Sequence, residues 1–492
     1  MKRFWILCSF GYLALLNADT TTFSKDRLTN FFDAFLCEEK EVISEAGLTC
    51  CTCSYLSAFP TAPPADPPPN PSPPTPMTGL LPIVMVNNSG LPDNEVYVLV
   101  QGRVPIGGPQ VFVQFDGAGV GTNHVVSTGE NGSTYTYPLS YFPASSNGHV
   151  FYLEMIDSFL VLISLKSPLN IPVLATGIAD PAFNNPNDPY GNYTINWDQV
   201  EGAYVTTTPN IAVDATAVSF FSIPLYVYLS TPAPGSGSNC GLSQTRSSIM
   251  SYLESVFSTV PPSPENAQWS NLVLHSGSTI YRSLSPGKAM AGGFFDINYL
   301  DNVGAYGFSY LNNIWTSPSS FYRTNTLSIK IPNGLTYSGT VQGDNTFLLK
   351  SGSNQVTFSA PVQGPPYTSS TTFNIFSGLP LYSSATSDAD GVQVSKAFEE
   401  AIIAGIVPTT SLIDASTLYT LSSFKPYYQV NSNLTGLGTR TGPWYDLYSA
   451  ALHACGLIYT FAYDEPLWPQ VLLQSNTLET STYIGITIGN TQ

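Results

Sequence analysis

The stretch Trp197–Leu229, WDQVEGAYVTTTPNIAVDATAVSFFSIPLYVYL, decides how the rest of the chain is read. Two β-rich arms flank Thr206-Thr207-Thr208-Pro209-Asn210, whose residue types favour turns, so the segment predicts a hairpin. The first arm opens with Asp198 and then carries Glu201 inside an otherwise uncharged run. The second alternates Val218, Phe220 and an apolar neighbour until Pro224 ends the pattern. A turn centred on Asn210 sets Glu201 opposite Ser219, with Cβ atoms roughly 4.5–5.5 Å apart.

Composition narrows what such a hairpin serves. The chain has 492 residues, more than one ordinary domain, and 43% hydrophobic residues supply a sizeable core. Only 10% are charged, and 33 acidic against 16 basic residues give a net charge of −17. No basic patch is available to neutralise phosphates, which argues against a nucleic-acid partner. Abundant Tyr, Phe, Ser, Thr, Gly and Pro with few charges fits a secreted, β-rich protein with neutral ligands, sugars among them. In that setting Glu201 reads either as one half of a glycosidase acid/base couple or as a solvent-facing strand carboxylate.

The N-terminus predicts export. Lys2 and Arg3 precede an apolar run from Phe4 to Leu16, and Leu16-Asn17-Ala18 offers a small-residue cleavage site, so residues 1–18 read as a signal peptide. No later run predicts a membrane span. Residues 19–59 form a small helical segment containing Cys37, Cys50, Cys51 and Cys53, expected as disulfides outside the cell. Cys240 and Cys455 stand alone. Residues 60–77, PTAPPADPPPNPSPPTPM, predict an extended proline-rich linker. Short strand patterns from Leu80 to Leu229 predict a barrel or sandwich domain over 78–235. Residues 236–492 predict a mixed α/β domain whose strands return to the barrel. Helices are expected near 243–257, 392–404 and 444–455, and strand-like runs at 327–362, 459–464 and 482–488.

The order of these segments resembles glycoside hydrolase family 64, β-1,3-glucanases with a thaumatin-like barrel. The likeness spans residues 80 to about 490. LPIVMVNNSG then EVYVLVQGRV, NNPNDPYGNYTINWDQVEGAY, DATAVSFFSIPL, YLNNIW, YSGTVQGDNTFLL, the helix ending EEAIIAGIV and WYDLYSAALHACGLIYTFAYDEP all occur in the family's order. The resemblance implies a mainly β fold with a mixed α/β domain and inverting endo-hydrolysis of β-1,3-glucan by two carboxyl groups. It implies Glu201 as the catalytic acid and Ser219 at the position of the partner Asp. Asp214 stands where the family has Asn.

A serine hydroxyl cannot act as the base near neutral pH, and losing a general base costs roughly 10²–10⁴ in rate. Alternation along a regular strand turns Asp214 away from Ser219 and Asp198 away from Glu201. Asp464 or Glu465 in the closing Tyr-Asp-Glu is then the alternative base. Trp197, Tyr204, Trp444, His453 and Asp464 are the candidate substrate-binding residues, with Trp315, Tyr445 and Trp468 as further aromatics. No metal spacing, phosphate loop or nucleophilic triad stands out, so no cofactor or metal is expected. Three functions follow: a secreted, monomeric glucanase; a β-1,3-glucan-binding protein that has lost catalysis; or a surface structural protein using the barrel as a scaffold.

Overall fold

The computed structural model describes residues 60–492 except 235, 260–263, 278, 302–309, 364–369, 405–406, 408–411, 416–444, 465–469, 478, 480 and 492. The expected signal peptide, the segment 19–59 with its four cysteines, and Trp444, Glu465 and Trp468 lie outside the described residues.

Two sheets pack as the β-barrel. One runs in the order Asn239–Gly241, Leu225–Leu229, Ile484–Ile488, Leu81–Asn87, Gly148–Leu153, Ala144–Ser145. The other runs Leu473–Ser475, Ile211–Thr216, Trp197–Tyr204, Ile156–Leu165, Val96–Arg103, Gln110–Phe115, Gly121–Val125, with Thr136–Pro138 added on Val96–Arg103. Alternation explains the packing: Ile83 and Met85 join the main core with Val98, Val100, Val161 and Val200, all fully buried. The near-C-terminal strand Ile484–Ile488 lies parallel to Leu81–Asn87 and antiparallel to Leu225–Leu229, so the two ends of the described chain share one sheet.

The mixed part is built on a second six-stranded sheet, Tyr382–Ala385, Asn354–Phe358, Phe347–Ser351, Thr336–Val341, Leu327–Lys330 and Leu412–Asp414. The helix Asp388–Ile403 covers it, and Phe398 meets Trp315, Phe347 and Phe358 with ring centroids 5.9, 5.7 and 5.6 Å apart. That helix begins four residues before the expected Val392. Ser387 caps it by accepting from the Asp390 N–H, and Asp388 and Asp390 place negative charge on its first turn. The other two expected helices are Arg246–Thr259 and Leu447–Cys455, the latter capped by Asp446. Of residues 459–464, Tyr459 pairs with Thr216 as an isolated parallel bridge, and the chain then bends and turns at 461–463, where Asp464 folds back onto Thr460.

The hairpin exists, with a different register. Its loop closes where the Val205 N–H donates to Asn210 O at 2.9 Å, so Asn210 ends the loop instead of forming its apex. Trp197–Tyr204 pairs with Ile211–Thr216, and Glu201 is directly opposite Asp214, not Ser219. Ser219 lies five residues further on, in the bend before Phe220–Phe221. The proline tract, expected as an extended linker, has no helix or strand but is not free of the barrel: Pro71 is buried, and its carbonyl accepts from the Tyr483 hydroxyl at 2.6 Å. Cys240 and Cys455 are buried free thiols that pack as small apolar groups.

Candidate active site

The site is centred on Glu201. Its strand is central in the eight-stranded sheet, hydrogen-bonded to Ile156–Leu165 on one side and Ile211–Thr216 on the other. Two rigid neighbours fix where the carboxylate can point. Strand alternation puts Gln199 and Glu201 on one face, and the Gln199 amide donates to Glu201 Oε1 at 2.9 Å. Burial pushes the Glu201 carboxyl up to about 7, and the nearby Asp180 charge adds to this. The Lys288 ammonium and the Gln199 hydrogen bond pull the other way. Burial thus keeps Glu201 protonated to higher pH than an ordinary carboxyl, a state that suits proton donation.

Lys288 and Asp180 complete the charged cluster, and neither was legible in the hairpin. Lys288 sits on the short helix Pro286–Ala291, which Ser285 and a proline at the first position start. Gly287 lets that helix approach the end of Thr371–Ser377: a Cβ there would lie 2.7 Å from Phe376 O. The Ser285 N–H donates to Ser219 O at 3.1 Å, which ties the bend carrying Ser219 to the base of the Lys288 helix. Burial lowers the Lys288 pKa, while Asp180 and Glu201 raise it. Its Nζ lies 5.8 Å from the Phe183 ring centroid, and Asn184 Nδ2 donates to Lys288 O at 3.0 Å. Asp180 is exposed at the head of the loop that carries Phe183 and Asn184. Its only sequence signal was a carboxylate entering an Asn/Pro-rich loop in a charge-poor chain.

Asp198, three residues before Glu201, faces the other side of the strand and is organised quite differently. Its Oδ2 accepts the N–H groups of Ser222 and Ile223 at 2.8 and 2.9 Å, and its Oδ1 accepts from Gln199 N at 2.9 Å. Burial raises its pKa to about 7, opposed by these donors and by Arg282. Arg246 Nε donates to Ser222 O at 2.6 Å, and Arg282 Nη2 donates to Tyr193 O and Ile195 O at 2.9 and 2.7 Å. The fully buried Arg282 also lies 5.1 Å from the Phe220 ring centroid. This cluster pins the Phe220–Ile223 segment against the strand carrying Glu201.

The remaining candidates are scattered. Trp197 is 2% exposed and packs edge-on against Phe220 at 4.6 Å, and Tyr204 is 2% exposed with its hydroxyl on Gly79 O at 3.0 Å. Neither presents a ring to a sugar, because the indole and phenol fill the core. Trp315 and Tyr445 are buried as well. His453 and Asp464 do come together, with Nε2 and Oδ2 2.9 Å apart, but their side chains are 3% and 0% exposed. Asp464 Oδ2 also accepts from the Thr460 N–H and hydroxyl at 2.8 and 2.9 Å. The pair fastens the helix Leu447–Cys455 to the turn after it.

Comparison with known proteins places this architecture. No protein-family profile matches the chain, and no curated protein matches it. Solved structures do. A laminaripentaose-producing β-1,3-glucanase in complex with laminaritetraose superposes with a TM-score of 0.61 at 17% identity, over 84% of this chain and 99% of that one. A β-1,3-glucanase domain of family 64 from Clostridium beijerinckii gives a TM-score of 0.58 at 19% identity, over 85% and 100%. The fold is that of a family 64 β-1,3-glucanase. Among the described residues, no helix is long and apolar enough to cross a membrane.

Proposed function

We propose that this is an exported protein that engages linear β-1,3-glucan on the sheet face carrying Glu201 and cleaves it internally with inversion. Glu201 is the general acid that protonates the departing glycosidic oxygen. Asp180 is the base that takes a proton from the water attacking the anomeric carbon on the opposite side of the ring. The observation that carries this reading is the Glu201 carboxyl, held on a sheet strand by the Gln199 amide at 2.9 Å and set in the field of Lys288 and Asp180.

An inverting couple needs roughly 6.5–9.5 Å between carboxyl groups, to hold the water. Asp214 is directly cross-strand from Glu201, and such pairs have Cβ atoms about 4.5–5.5 Å apart, close for that task. Asp180 sits on a loop instead, is exposed, and acts on Glu201 through its charge, which supports it as the base. Lys288 stabilises the carboxylate that Glu201 becomes on giving up its proton, and so eases the donation to the departing oxygen.

One observation favours a second reading. Ser219 occupies the position at which the resemblance requires an Asp. Without a base elsewhere the face would hold glucan without cleaving it. Calorimetry with laminari-oligosaccharides and with cello-oligosaccharides tests the ligand that both readings share. Preference for the β-1,3 series is expected; equal affinity for both, or none for either, contradicts it. Conversion of an inert wild type into a glucanase by Ser219→Asp would establish the second reading over the first.

A further inference from the structure

We infer that the outer face of the barrel sheet containing Leu81–Asn87 and Ile484–Ile488 is a recognition surface for proline-rich segments, engaged in cis by residues 60–77. Proline has no backbone N–H to donate. A tract reading PTAPPADPPPNPSPPTPM has few N–H groups, so it cannot join a sheet as another strand. Any surface that holds it must donate hydrogen bonds to its carbonyls and offer apolar area to its rings.

This face does both. The Tyr483 hydroxyl donates to Pro71 O at 2.6 Å, the Tyr152 hydroxyl to Thr75 O at 2.9 Å, and Gln244 Nε2 to Pro63 O at 3.2 Å. The Gln244 amide nitrogen also donates to Cys455 O at 2.6 Å, so it is anchored to the body of the fold while reaching the tract. Val84, Val150, Tyr152 and Tyr483 form a small buried cluster separate from the main core, edged by Leu80, Val120 and Tyr228. They alternate with Ile83, Met85 and Phe151, which face the barrel interior. Outward-facing apolar residues of a two-sided sheet are buried here because something lies over them.

Gly485 identifies what that is. It sits inside Ile484–Ile488, where glycine weakens a strand. Its backbone is not left-handed, so no conformational need explains it. A Cβ at this position would lie 2.6 Å from Pro71 Cγ and 2.9 Å from Cδ, with Tyr228 Cβ next at 3.5 Å. The missing side chain is the space that the Pro71 ring fills. The tract thus lies on a sheet other than the one that carries Glu201.

The test uses the full chain and a proline-specific endopeptidase, following cleavage within 60–77 by mass spectrometry. The wild-type tract is expected to resist. Gly485→Val should accelerate cleavage at least tenfold while near-ultraviolet circular dichroism stays unchanged. The Tyr152→Phe/Tyr483→Phe double variant, which removes two donors at about 1 kcal/mol each, should accelerate it roughly ten- to thirtyfold. If Gly485→Val fails to fold, the double variant carries the test. Equal cleavage of wild type and of the folded variants would overturn the proposal. Protection that falls away on dilution would overturn the in-cis assignment in favour of exchange between two copies.

Discussion

Asp198 and Glu201 belong to one strand, face opposite sides of it, and are both raised to about 7 by burial. Their surroundings separate them. Asp198 receives three backbone N–H groups and lies by Arg282, so it holds the Phe220–Ile223 segment in place. Glu201 receives one side-chain amide and shares its field with Lys288 and the exposed Asp180. A perturbed pKa alone does not assign a role; the partners that perturb it do. On the proposed reading, the contrast leaves Asp198 to architecture and Glu201 to chemistry.

The largest expected effect on this contrast is from Asp180→Asn, which should lower laminarin hydrolysis by roughly 10²–10⁴ with the melting temperature little changed. A loss below about tenfold would move the base elsewhere, with Asp214 the next residue to replace. Asp198→Ala should act on the opposite quantity, costing roughly 3–5 kcal/mol in denaturant unfolding because Arg282 loses its buried counter-charge. If that variant is as stable as wild type, the division between the two carboxylates fails.

A smaller effect concerns Glu201 itself. Its folded pKa, about 7 against an ordinary 4.5, means that the folded state binds more protons than the unfolded one between those values. Its contribution is therefore fully present below about pH 4.5 and is lost as pH rises through 7. Glu201→Gln should thus be more stable than wild type at pH 8, by roughly 1–3 kcal/mol, and about equal to it at pH 4. Denaturant melts at the two pH values measure this. The smallest effect is from Lys288→Met. Lys288 lowers the Glu201 pKa, so its loss should move the alkaline limb of the pH–kcat/KM profile upward. A downward shift would contradict the assigned field.

Much of the fold was legible because alternating apolar strands and turn residues act locally. Leu81–Asn87, Val96–Arg103 and Gln110–Phe115 fall where the pattern placed them. The hairpin's register was not legible: Thr206–Asn210 are all acceptable turn residues, and only the closing Val205–Asn210 bond fixes which pair faces which. That small error moved the partner of Glu201 from Ser219 to Asp214. Glu201 was visible as the carboxylate inside an uncharged arm. Lys288 and Asp180 were not, because a separate helix and loop bring them in from distant parts of the chain. His453, Asp464, Trp197 and Tyr204 carried the right chemistry for a site but are buried by core packing that only the tertiary structure reveals. The proline tract was recognised by composition; its docking depended on Tyr152, Tyr483 and Gly485, far away in sequence.

Reducing-end release from linear β-1,3-glucan by the full chain and by Glu201→Gln, run side by side at pH 6, decides whether Glu201 is catalytic. Measurable hydrolysis by the wild type is expected, with a loss of at least about 10²-fold in the variant and laminari-oligosaccharide affinity retained. Equal hydrolysis by the two proteins would contradict it.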